Sequence, residues 1–143
     1  MKQLPLEKYH DLALLLLRIG VGVVFIVAGW GKMTGLYGAL FTGTEWGFVG
    51  AVEGIGFPFP FFFAGVVAIV EFVGGLMVLT GLYAKIPNLL LAFVMIVALF
   101  GVKWDQGFGA MRVDILLLLM TLALAILGSG KYSINSILGK GEV

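Results

Sequence analysis

Four ionisable residues, Arg18, Lys32, Glu71 and Asp114, stand inside or at the edge of segments otherwise apolar enough to cross a membrane. Glu53 and Arg112 lie close enough to those segments to count as possible contributors. A charged side chain in a span costs about 2.5–3.5 kcal/mol on insertion scales, so such residues face a protein interior and are expected to be functional. Arg18 and Lys32 have the chemistry to bind an anion or a semiquinone oxygen, and Glu71 or Asp114 to exchange its protons. The plainer alternative is that the charges pair only to neutralise one another and fix helix register.

Their spacing puts them on shared faces. Asp11, Arg18, Phe25 and Lys32 recur every seven residues, and Leu15, Gly22 and Gly29 fall on the same stripe. Glu71 shares a face with Ala64, Ala68, Gly75 and Val78, and Asp114 with Thr121, Ala125 and Gly128. Small residues let backbones approach closely in lipid, so these notched stripes should turn toward one another around a polar interior. From depth along the helices, Arg18 is expected to pair with Glu71, and Lys32 with Asp114, with Arg112 and Glu53 as rivals. Lys103 and Asp105 read as interfacial anchors, and His10, the single histidine, as a surface residue.

The elements that must position these groups follow from composition. Of 143 residues, 61% are hydrophobic and only 12% charged, which places the chain in a lipid bilayer. A hydrocarbon core of about 30 Å takes about 20 helical residues. Segments 12–33, 60–82, 86–102 and 111–130 meet that need, with Pro60 and Pro87 in first turns and Gly128 and Gly130 ending the last. The long connection between the first two spans carries Thr44 as a potential N-cap and Phe48, Val52 and Ile55 at helical spacing, which predicts an interfacial helix over 44–55. Trp46, Phe48, Phe57 and Phe59 suit the aromatic belt of an interface. The expected fold is all-α: one transmembrane domain over residues 1–143, a four-helix bundle with a short interfacial helix between helices 1 and 2.

The same composition narrows function. The nine Lys and Arg are scattered singly, so no basic patch follows a phosphate backbone and nucleic acid is not an expected partner. Without cysteine, and with one histidine, the chain supplies no iron–sulfur cluster, thiolate zinc site or bis-histidine haem, and no metal site is expected. The N-terminal stretch lacks a small-x-small cleavage site, so the first helix is expected to be retained. Four spans put Lys2, Lys8, Lys85, Lys131 and Lys140 on one side, against a 34–59 connection with no Lys or Arg and Lys32, Lys103 and Arg112 at the helix ends on that other side. The cation bias therefore predicts a multi-pass protein with both termini cytoplasmic.

At these same residues the sequence resembles a known family. "LLLRIGVGVVFIVAGWGKM", "VEFVGGLMVLTGLYAKI" and "VDILLLLMTLALAILGSGKYSIN" are similar to successive motifs of the DoxX family of small four-helix membrane proteins. Arg18, Gly29 with Lys32, Glu71 with Gly74 and Gly75, and Gly128, Gly130 and Ser133 agree with its pattern. Asp114 stands where a Glu is common, and Asn135 where an Asp is usual, which would remove a charge at the cytoplasmic surface. The resemblance implies a prokaryotic cell membrane and an association with membrane oxidoreductase systems, including the related DoxD subunit of thiosulfate:quinone oxidoreductase. Distant relatives act instead as cargo receptors or assembly chaperones.

Two functions are therefore expected to compete. One is a subunit of a membrane oxidoreductase system that binds a dissociable quinone or a small anion at the charged intramembrane site, working with a redox partner protein or as a homo-oligomer. The other is a non-enzymatic assembly factor or small-molecule carrier in which the charge pairs are helix glue or a substrate seat.

Overall fold

The computed structural model describes residues 6–139, and Lys2 and Lys140, counted above for orientation, lie outside them. The described residues are mostly helical, with no strand among them. Four helical segments are long and apolar enough to cross a membrane, Tyr9–Phe41, Pro60–Thr80, Lys85–Gln106 and Phe108–Leu127.

Helix α1 spans Leu6–Phe41, well beyond the expected 12–33 at both ends. Bilayer thickness sets the shortest span that works, not where a helix stops. Its 36 residues reach about 54 Å. The chain turns only at Gly43, whose φ of 68° favours glycine. Helix α2, Gly47–Gly54, is the expected interfacial element, but its N-cap is Trp46 and no side chain caps it. Thr44, the expected cap, instead shares a 2.6 Å hydrogen bond with the Thr42 hydroxyl. Val52 is buried, with Phe48 and Ile55 half-buried on the same face.

Helix α3 runs Pro60–Thr80 and ends at Gly81, with φ 71°. Gly81 N–H donates to Val78 C=O and Leu82 N–H to Met77 C=O, the paired bonds of a left-handed helix terminus. Helix α4, Lys85–Val97, continues through a π turn, Ala98–Lys103, and a 3-10 turn, Trp104–Gln106. Helix α5, Phe108–Leu127, begins after Gly107 and ends at Gly128. Ser133 caps the short α6, Ile134–Ile137, by accepting the Ser136 N–H at 3.2 Å.

Helix α1 packs chiefly on α3, α4 on α5, and α3 on α4, with α1 also touching α5 and α2 lying against α3. Asp11 accepts the Lys131 N–H at 2.9 Å, which brings the start of α1 to the segment after α5. The expected stripes do face inward: Arg18, Gly22, Phe25 and Gly29 on α1, Ala64, Ala68, Glu71, Gly75 and Val78 on α3, and Asp114, Thr121 and Ala125 on α5 are buried. Leu16, Val27, Leu89, Phe93, Leu116 and Ile126 point outward to lipid.

Glycine sets the α1–α3 distance. A Cβ on Gly22 would lie 2.8 Å from Leu79 Cβ, and one on Gly75 2.8 Å from Ile26 N. At Gly29 it would meet the backbone of Glu71 and Phe72, which cannot rotate away. Gly31, two residues on, has nothing within 4 Å. Gly29→Ala is therefore expected to destabilise the bundle by about 1–3 kcal/mol through overpacking, and Gly31→Ala to be neutral or better. Thermal unfolding in detergent checks this. Equal melting of the two variants would show that Gly29 does not set the helix contact.

Candidate functional site

The close approach at Gly29 has a chemical result one turn later. Lys32 Nζ donates to Glu71 Oε2 and forms an ion pair with it. The carboxylate is almost wholly buried, whereas a fifth of the Lys32 side chain stays accessible. Above the ammonium lies the Phe48 ring of α2, its centroid 5.0 Å from Nζ. That is a cation–π contact, favoured where water is scarce.

A second pair stands beside the first. Lys103 Nζ lies 2.6 Å from Asp114 Oδ2. Glu71 lies within electrostatic range of both lysines and of Asp114, so the four charges form one cluster, two cations against two anions. Asp114 Oδ2 is buried, with the Lys103 ammonium as its ion-pair partner. The π turn accounts for Lys103. The buried stripe of α4 passes through Asn88, Leu91, Ala92, Met95 and Leu99. Eight residues beyond Met95, a regular α-helix would carry Lys103 roughly 80° off the Met95 face. The wider turn removes most of that rotation, and such turns gather at functional sites.

Arg18 belongs elsewhere. Its guanidinium, 1% exposed, donates from Nη1 to Ser129 C=O at 2.7 Å and from Nη2 to Tyr132 C=O. These carbonyls lie just past the end of α5, where the helix dipole favours a cation. Gly128 and Gly130, with φ of 82° and 70°, bend the strap that presents them. Ser133 secures it by donating to Gly130 C=O at 2.7 Å. Gly81 on α3 is required too, because a Cβ there would fall on Arg18 Nη1.

The structure thus brings Lys32, Glu71 and Asp114 together and separates Arg18 from them. The expected Arg18–Glu71 pair is not formed. Arg18 lies level with Gly81, ten residues or about 15 Å from Glu71 along α3. The expected Lys32–Asp114 pair is replaced by Lys32–Glu71 and Lys103–Asp114. Glu53 and Arg112 are exposed and make no ion pair among the described residues. Asn135, expected at the surface, is buried, and its Oδ1 accepts the Tyr83 N–H at 3.4 Å. Sequence reasoning missed Lys103, which stands four residues before the turn at Gly107 and Phe108, while Asp114 stands six residues after it. No group of three or more His, Cys, Asp or Glu placed to hold a metal occurs among the described residues.

Comparison with known proteins fits this architecture. The DoxX family pattern matches residues 13–104. The chain is 33% identical over 138 residues to "Putative oxidoreductase CatD" of Bacillus subtilis (strain 168), covering 96% of this chain and 95% of that one. It is 34% identical over 139 residues to "Inner membrane protein YqjF" of Escherichia coli (strain K12), covering 94% of this chain and 98% of that one. No solved structure matches it significantly.

The revised pairing has a measurable signature. Lys32→Met and Glu71→Leu, each alone, strand a partner, whereas the double variant removes both desolvation costs. The pair should show a coupling of about 0.5–3 kcal/mol in a double-mutant cycle read by unfolding in detergent. Arg18→Met with Glu71→Leu should be additive within about 0.5 kcal/mol. Coupling between Arg18 and Glu71 instead would restore the pairing the structure replaces.

Proposed function

The chain belongs to the DoxX family, and from that premise we propose that it is a subunit of a membrane oxidoreductase system that binds a quinone at the Lys32–Glu71–Lys103–Asp114 cluster. The observation that carries this reading is the balanced cluster itself, set in an apolar interior. A small anion would add uncompensated charge to a site whose cations are already matched. Arg18, the one buried cation beyond the cluster among the described residues, has both Nη groups bonded to backbone carbonyls. A neutral, planar headgroup with carbonyl oxygens suits the site better. Lys32 and Lys103 can donate to those oxygens, and Glu71 or Asp114 can hold or release a proton beside them. The printed name of the B. subtilis relative, an oxidoreductase, supports the class of chemistry.

Division of labour follows from the residues. With no cysteine and one histidine, the chain offers the headgroup orientation and proton exchange, while electrons come from a separate redox protein. The termini belong on the cytoplasmic side by their cation excess.

The test is purification in mild detergent or lipid nanodiscs, solvent extraction and quantitation of quinone. Quinone should accompany the wild-type protein, or bind as added decylubiquinone. The folded Lys32→Met/Glu71→Leu protein should lose at least about tenfold in affinity, a change of one decade in Kd. A wild-type protein that neither carries nor binds quinone would favour an assembly factor or carrier. For orientation, Lys131→Cys should react with a membrane-impermeant maleimide only from the cytoplasmic face; labelling from outside reverses the topology.

A further inference from the structure

Helix α2 is fixed at both ends beside the helices that carry the two lysines. At its start, the Trp46 indole fills a notch at Gly35, one turn beyond Lys32, where a Cβ would fall within the ring. At its end, Ile55 lies against Gly101 in the π turn, two residues before Lys103; a Cβ on Gly101 would stand 2.9 Å from Ile55 Cγ2. Between these anchors Phe48 lies over Lys32. Each anchor is an apolar side chain in a glycine seat.

The same helix is built to come away. It has eight residues, no side-chain cap and only Val52 fully buried. A helix this short draws its stability from its contacts and not from its own hydrogen bonds. Gly43 and Gly56 flank it with φ of 68° and 90°, and nothing lies within 4 Å of a Cβ at either. Neither flank is packed against a neighbour at its glycine, so the contacts of α2 with α3 and the two seats are what hold it.

We propose that α2 is the hinged cover of the charged site, and that Phe48 is the plate on which a planar quinone headgroup stacks beside Lys32. The inference rests on the quinone reading above and adds to it a binding residue and a route, from the bilayer beneath α2. Lys32 Nζ stands 5.0 Å from the Phe48 centroid, too close for a ring between them, so the quinone takes the ammonium's place on the Phe48 face and turns a carbonyl oxygen toward the displaced Nζ. Opening at Gly43 and Gly56 admits it, and the Trp46 and Ile55 seats reclose over it.

Because the chain has no cysteine, a single designed pair tests the cover. Ile55→Cys with Gly101→Cys places two thiols in side-chain contact, at a separation compatible with a disulfide. Binding and release of decylubiquinone would be followed in nanodiscs by quenching of tryptophan fluorescence, with reductant removed beforehand. The oxidised protein should exchange quinone at least about tenfold more slowly than its reduced form, with Kd changed by less than about threefold. Gly35→Ala, which displaces the Trp46 anchor, should speed release. Phe48→Ala should weaken binding by about tenfold and Phe48→Tyr should retain it. Equal exchange by locked and unlocked protein, with Phe48→Ala binding as well as wild type, overturns the cover while leaving the quinone site standing. Failure of the reduced and wild-type proteins to bind decylubiquinone overturns the site itself. If the cysteine pair does not fold, the Gly35 and Phe48 variants decide the question alone.

Discussion

An ammonium held in hydrocarbon must meet a negative charge at contact distance, and the Lys32–Glu71 pair is where this bundle meets that demand. Everything around the pair serves the contact. A neighbouring helix in lipid normally stands 8–10 Å away, axis to axis, with side chains between. At Gly29 no side chain intervenes, and the backbone of α1 rests against that of α3 at Glu71 and Phe72. The lysine then has only one helical turn to cover.

This gives the family pattern a physical content. Gly29 three residues before Lys32 is a seat followed by the group that the seat positions. In the Glu71, Gly74, Gly75 triplet, Gly75 receives Ile26 of α1, while a Cβ on Gly74 would crowd Leu91 of α4 at 3.3 Å. One turn of α3 therefore fixes helices on both of its sides around a single carboxylate. The glycines of the last motif do a different job, bending carbonyls onto Arg18. Two kinds of polar interior result: charge against charge near the connection that carries α2, and charge against backbone near the chain termini.

Much of the architecture was legible in the sequence because bilayer length and stripe periodicity are strong local signals. The four spans, the short helix between the first two and the inward direction of Arg18, Glu71 and Asp114 all followed from them. Partner choice did not. Depth along a helix is poorly fixed by sequence, and here the misplacement was nearly three turns: Glu71 meets Lys32, while Arg18 lies about 15 Å away along α3. The π turn, which brings Lys103 round to Asp114, has no residue signature in "ALFGVK". Arg18 found backbone oxygens in place of a carboxylate, and carbonyl groups are the same in every sequence. Phe48 read as one aromatic among many at an interface; only its position over Lys32 sets it apart.

The strap on Arg18 has a consequence for how the protein is made. Arg18 stands in a helix synthesised before its acceptors, Ser129 and Tyr132, which follow it by more than a hundred residues. During synthesis the guanidinium must stay near water, or in the company of the insertion machinery, until more than a hundred further residues have followed it. Synthesis of the strap is thus what supplies the guanidinium with its acceptors. A nascent chain that stops short of the strap lacks both of the carbonyls that hold Arg18.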